Sequence, residues 1–156
     1  MALDEARFRQ SMGYFASGVT VVTTTEGGRN YGMTVSSFAS LSLRPPLVLV
    51  CIDKEVTCHA AIEASRGFVI NILEEHQEHL SRKFAAPGED KFAGVAWRAG
   101  LLGFPVLDGA LASIECRLHA MLPGGDHTIF VGEVVEALLR DGSPLLYFRR
   151  GYHELN

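Results

Sequence analysis

The chain has 156 residues, 47% of them apolar and 21% charged, which is one domain of ordinary size with enough apolar side chain to bury a core and excludes a disordered protein. A net charge of -4 argues against a nucleic-acid backbone or an anionic membrane as the main partner. Cys51, Cys58 and Cys116 are odd in number and form no CxxC pair, which excludes a disulfide framework or thiolate zinc site, and neither a secretory signal nor an apolar run of about 20 residues is present, so a soluble cytoplasmic protein with reduced thiols is expected.

Leu3, Phe8, Met12 and Phe15 recur at helical spacing, and Asp4 and Glu5 stand where an opening turn favours anions, which predicts a first helix over 3–16, ending near Gly18. The β-branched run 19–25 followed by Glu26-Gly27-Gly28-Arg29-Asn30 predicts a hairpin with a return strand over about 31–38. Pro45-Pro46 stops any helix, and the apolar run 47–52 reads as a strand buried on both faces. Thr57 is placed to cap a short helix over 58–65 that closes at Gly67, and 68–73 reads as a second buried strand. A polar helix follows over 74–84, ending in Ser81-Arg82-Lys83-Phe84.

Residues 85–109 have little period and are expected to be mostly loop, with a short strand near 95–98 around the lone Trp97. Over 110–122 the alternation is clear. Ile114, Cys116, Leu118, Ala120 and Leu122 face one way and Ser113, Glu115, Arg117 and His119 the other, which predicts an antiparallel strand with one wet face. Pro123-Gly124-Gly125-Asp126 turns the chain into a strand over 127–139, and Asp141-Gly142-Ser143-Pro144 turns it into a last strand over 145–149, before Gly151-Tyr152-His153. Six or more strands with two or three short helices predict a mainly β, closed or partly closed antiparallel barrel with peripheral helices, one domain over 1–156.

There is no GxGxxG, GxxxxGK[ST] or GxSxG motif. A nicotinamide nucleotide, if used, would therefore lie briefly on another surface, such as the face of a bound flavin. The stretch NYGMTVSSFASLSLRPPLVLVCID, 30–53, sets Thr34, Ser36 and Ser37 against two apolar segments. Backbone and hydroxyl groups between apolar walls suit a flat ligand with a polar edge, although the same composition suits a hairpin strand with a polar outer face. Ser81, Arg82 and Lys83 offer a hydroxyl, a guanidinium fork and an ammonium to a phosphate, or form a solvated helix end. The turn Gly124-Gly125-Asp126 delivers His127 to the barrel rim, where an imidazole titrates near neutral pH, or is an ordinary hairpin turn. His76 and His79 beside Glu75 and Glu78 lack a third ligand of matching spacing, so no metal is expected. Cys58 and His59 are adjacent on a helix and do not face each other, which speaks against a thiolate–imidazole nucleophile.

The segments TVSSFASLSLRPPLVLVCID, TCHAAI, FVINIL, LSRKFA, PGGDHTIFVGEVV and YFRRGYHEL, in this order, resemble the short-chain flavin reductase family, the split-barrel flavin-binding partners of two-component monooxygenases. The resemblance spans residues 8–155. It implies a six-stranded antiparallel Greek-key split barrel, a homodimer with FMN or FAD near the subunit interface, NADH or NADPH as transient co-substrate, and a separate oxygenase component. Carried over by residue, Thr34, Val35, Ser36 and Ser37 would line the isoalloxazine and ribityl chain, with backbone contacts from Cys51, Ile52 and Asp53. Thr57 would meet the ribityl–phosphate end, Ser81, Arg82 and Lys83, with Phe84 beside them, the phosphate, and Tyr152 would cover the site. His127 would be the catalytic group near the nicotinamide. The resemblance leaves two rivals: a flavin carrier without reductase activity, and a flavoenzyme that reduces ferric iron or a corrinoid. The GDH turn and LRPPLVLVCID speak against a third, the pyridoxamine-phosphate oxidase type of split barrel.

Overall fold

In the computed structural model, which describes residues 2–88 and 90–156, α1 (Glu5–Met12) opens on Asp4, whose carboxylate accepts a 2.7 Å hydrogen bond from the Arg7 N–H. The helix is shorter than its periodicity predicts. Its apolar stripe of Leu3, Phe8, Met12 and Phe15 is between 51% and 81% exposed, because no surface of the same chain covers it. β1 (Ser17–Gly18) leads into β2 (Thr20–Glu26), which pairs with β3 (Arg29–Val35) from Thr20↔Val35 to Glu26↔Arg29. Gly27 (φ 60°) and Gly28 (φ 76°) make the two-residue turn that the sequence predicts, with positive φ at both positions.

The predicted return strand 31–38 is broken at Ser36–Ser37. β3 ends before it, and β4 (Phe38–Ser42) begins after it and pairs with β5 (Leu47–Asp53). α2 (Thr57–Ser65) starts on Thr57 itself; the capping position is Val56, which makes no side-chain cap. β6 (Gly67–Ile72) is buried on both faces, as predicted. α3 (Glu78–Ala85) begins four residues later than predicted, because Glu74 is held in a bridge to Pro144. β7 (Trp97–Ala99) and β8 (Pro105–Leu107) form a small arm. The long strands β9 (Ala112–Gly124) and β10 (His127–Leu139) form the central hairpin, and β11 (Leu145–Phe148) and β12 (Gly151–Glu154) close the chain.

All the strand pairs are antiparallel. The main sheet runs β3-β2-β6-β9-β10-β5-β4, and β1-β11-β12 form a separate three-stranded sheet. Seven strands thus stand where the resemblance implies six. The two edge strands of this sheet, β3 and β4, are consecutive in the chain. Val35 and Phe38 are three peptide steps apart, at most about 11 Å. The sheet must therefore roll until its edges approach, with a split rather than a hydrogen-bonded closure between them. Val22, Val35, Val50, Ile52, Ile62, Phe68, Ile70 and Phe130 form the main core, against which Tyr31, Met33 and Val56 pack. A second cluster, including Val21, Leu73, Phe84, Leu107 and Leu145, lies under α3, β8 and β11.

Two burial expectations are corrected. β5 alternates: Val48, Val50 and Ile52 are buried, while Leu47, Leu49 and Cys51 are half-exposed. The wet face predicted for β9 is dry at Ser113 and Glu115, both buried, because the arm folds over it. There the Leu102 N–H donates to the Glu115 carboxylate at 3.1 Å.

Asn71 anchors this covered side. Its amide N–H groups donate to the Val21 carbonyl (3.0 Å) and the Thr23 hydroxyl (3.1 Å). Its oxygen accepts from the Leu107 N–H (3.0 Å) and the Ser113 hydroxyl (3.1 Å).

Candidate functional site

The break between β3 and β4 is where polar groups gather. An edge strand presents unpaired backbone N–H and C=O groups, and β3 is such an edge. Ser36 is exposed at the link. Ser37 is tied to β5: its hydroxyl donates to the Cys51 carbonyl at 3.0 Å, and the Cys51 N–H donates to the Ser37 carbonyl at 3.2 Å. Two residues on, Asp53 pairs with His127, and Cys51 pairs with Ile129. Side chains two apart on a strand share a face about 7 Å apart. Cys51, Asp53, Ile129 and His127 therefore border one half-exposed patch of the outer sheet surface, beside Ser37.

The Gly125–Asp126 turn is fixed to the end of β5 by the Lys54 N–H, which donates to the Asp126 carbonyl at 3.0 Å. His127 Nδ1 lies 2.7 Å from the Asp126 carboxylate. The hydrogen bond and charge of His127 hold the Asp126 carboxyl below its usual range. The Asp53 carboxylate accepts from the Glu55 N–H at 2.8 Å, which holds the turn after β5. A second histidine, which the sequence offers only as a partner for Cys58, stands at this rim. His59 Nε2 is 2.7 Å from the Thr128 hydroxyl, and its ring meets Phe130 edge-on at 4.9 Å. Its neighbour Cys58 is buried, and burial pushes the thiol up to about 12, which agrees with the reading that the two form no nucleophilic pair.

A second group of expected residues is joined through contacts. The Thr34 hydroxyl donates to the Ser81 carbonyl at 2.6 Å, the Ser81 hydroxyl lies 2.7 Å from the Tyr152 hydroxyl, and the Arg82 guanidinium sits 4.9 Å from the centre of the Tyr152 ring. β3, α3 and β12 thus meet at one point. The three residues of the expected phosphate grip nevertheless diverge, as neighbours on a helix must. Ser81 is fully buried toward Tyr152. Arg82 is exposed and paired with Glu78 at 3.1 Å, and Lys83 lines a recess with His79, Leu80, Val95 and Asp108. Val35, Ile52 and Phe84 are buried in the two cores, so only their backbone atoms are available to a ligand.

Thr57 is exposed and lines a cavity of about 180 Å³ with Arg29, Asn30, Tyr31, Lys91 and Phe92. Lys91 Nζ donates to the Phe84 carbonyl at 3.1 Å, and the Arg29 guanidinium is 5.3 Å from the centre of the Tyr31 ring. The two cations were not foreseen. Arg29 reads as part of a turn, and the only signal for Lys91 is a basic residue beside an aromatic in a segment without period.

Residues 12–156 match the family described as flavin reductase like domain. The chain is 51% identical over 147 residues to the reductase component of 4-nitrophenol 4-monooxygenase/4-nitrocatechol 2-monooxygenase of Rhodococcus opacus, covering 94% of this chain and 79% of that one. Among solved structures, nitrilotriacetate monooxygenase component B from Mycobacterium thermoresistibile superposes with a TM-score of 0.95 at 44% identity, covering 98% of this chain and 87% of that one. The NADH:FAD oxidoreductase SgcE6 of Streptomyces globisporus, in complex with NAD and FAD fragments, gives 0.94 at 39% identity, covering 98% and 93%. This protein belongs to the flavin reductase-like family.

Proposed function

We propose that this protein is an NAD(P)H:flavin oxidoreductase that reduces FMN or FAD and supplies the reduced flavin to a separate monooxygenase. The observation that carries the reading is the split between β3 and β4, where Ser36 and Ser37 stand beside Cys51, with Asp53 and His127 at the same rim. The donor set fits a flavin. Edge-strand amides and hydroxyls suit the polar rim of the ring system, and the flanks are apolar. Thr34–Ser37 and Cys51–Asp53 would hold the isoalloxazine, and Thr57 would meet the ribityl–phosphate end. In this reading the cavity holding Thr57 and Lys91 receives the phosphate end better than Ser81 does, since the Ser81 hydroxyl is already engaged by Tyr152.

A bound flavin supplies a two-electron acceptor for the hydride of a nicotinamide. The protein contributes position and electrostatics. His127, held by Asp126, orients the nicotinamide or donates a proton at the rim. Tyr152, fixed by Ser81 and Arg82, covers the far side.

The finer architecture is a Greek-key split barrel, rolled from the seven-stranded sheet, that works as a homodimer. What supports the dimer is the outer face of the sheet, where Leu47, Leu49, Cys51 and Ile129 are half-exposed and Leu41 and Leu43 are 51% and 79% exposed. A second subunit on that face would give the open patch its other wall. NADH and NADPH oxidation with added FMN, FAD and riboflavin tests the function. A carrier protein would bind flavin without turnover, and an enzyme for ferric iron or a corrinoid would turn over only with those acceptors.

A further inference from the structure

A basic recess of about 320 Å³ lies between α1 and the turn joining β11 to β12, lined in part by Arg9, Gln10, Tyr14, Arg149 and Arg150. Three guanidinium groups share it in a chain whose net charge is -4. Arg149 and Arg150 are the two linking residues of the hairpin, between the last pair Phe148↔Gly151. Their φ angles are 49° and 66°, in the left-handed region where glycine or asparagine is the usual choice. The chain keeps two arginines there against the preference of its own backbone.

Their surroundings offset this only at Arg149. Among the described residues neither Arg149 nor Arg150 has a carboxylate partner, and Arg9 has only the exposed Glu5 at 3.9 Å. The recess is ordered nonetheless. The Arg149 N–H donates to the Gly13 carbonyl at 3.0 Å, and its guanidinium lies 4.7 Å from the centre of the Tyr14 ring. Arg9 on α1 and Arg149 and Arg150 on a left-handed turn thus gather three exposed like charges, with Arg149 packed on an aromatic ring, an arrangement suited to an anion.

We infer that this recess binds a phosphate or pyrophosphate group, the anionic end of a nucleotide. Guanidinium forks match phosphate oxygens in pairs, and three of them suit a group with more than one negative charge. The volume is that of a small-molecule site rather than a groove for a peptide. The recess shares no lining residue with the flavin shelf, and its test uses neither flavin nor turnover, so its failure leaves the reductase reading standing.

Calorimetric titration of the full chain with pyrophosphate, ADP and 2′,5′-ADP, at ionic strength matched with sodium chloride, tests the inference. Saturable binding is expected for at least one probe, and the ranking of the three tells a bare pyrophosphate, a 5′-diphosphate and a 2′-phosphate apart. Arg149→Gln and Arg150→Asn are each expected to weaken binding about 10-fold, the loss of one charge-assisted contact. Arg150→Asn should also raise the melting temperature of the unliganded protein by about 1–4 °C, because asparagine tolerates the left-handed turn. A gain in stability paired with a loss of affinity separates a binding role from a structural one. Binding of none of the probes above the chloride control overturns the inference. So does unchanged affinity in both variants, or tighter binding of oligoglutamate than of pyrophosphate, which would make the recess a docking point for an acidic protein segment.

Discussion

Of the three cysteines only Cys51 is left half-exposed by its own chain, on the face assigned to the dimer and the flavin. Cys58 and Cys116 are 3% and 0% exposed, and burial pushes both thiols up to about 12. At pH 8, iodoacetamide should leave Cys58 and Cys116 unlabelled in the native protein, and saturating FAD or FMN should slow whatever labelling the dimer seam allows at Cys51, as read by peptide mass spectrometry. Equal rates with and without flavin would separate Cys51 from the flavin surface. For His127, replacement by Ala should lower turnover by roughly 10- to 100-fold, less than a full general acid can contribute; unchanged reduction kinetics would remove its role.

The Asp126 carboxyl carries the pH signature of the same pair. Its folded value lies below the usual one, so its contribution to stability is present above the ordinary carboxylate range and is lost as the pH falls through the lowered value. His127→Gln removes the largest cause, and Asp126 should then titrate closer to the ordinary range in a carboxyl NMR titration. At this scale the sequence offers candidate positions but does not say where each side chain points. Val35, Ile52 and Phe84 sit within family motifs yet face the cores, and Ser81 is turned inward to Tyr152. Direction depends on the partner surface, which the local sequence does not contain.

Elements were legible wherever a local rule decides them. The Gly27–Gly28 and Gly125–Asp126 turns and the buried strand β6 follow from turn chemistry and apolar pattern. What escaped was set by long-range contact. The return strand breaks at Ser36–Ser37 because the chain passes there from one sheet edge to the other. β9 loses half of its wet face because a distant arm covers it. Asn71 ties β2, β8 and β9 to β6 through four hydrogen bonds, so Asn71→Leu should strand buried donors and cost about 2–4 kcal/mol. Urea denaturation measures it; a loss below about 0.5 kcal/mol would show that the hub does not hold the arm.

The whole molecule presents apolar surface that its own chain does not cover, on the outer face of β5 and β10 and along α1. The dimer assigned to the sheet face should sediment with twice the 17.0 kDa chain mass. Leu49→Asp, a charge in the middle of that face, should give monomers and weaken flavin binding together. A wild-type monomer that binds flavin as tightly as the dimer would refute the shared site. The family motifs were legible in the sequence, but the uncovered face was not, since 47–52 reads as buried on both faces; the sheet order explains why the two meet, because the motif 34–53 straddles the split.

The most direct measurement of the central claim is the steady-state oxidation of NADH and NADPH at 340 nm by the purified protein, with FMN or FAD added in turn. The account predicts saturable, flavin-dependent oxidation with at least one nucleotide, accompanied by anaerobic bleaching of the added flavin. No oxidation with either nucleotide in the presence of both flavins would contradict it.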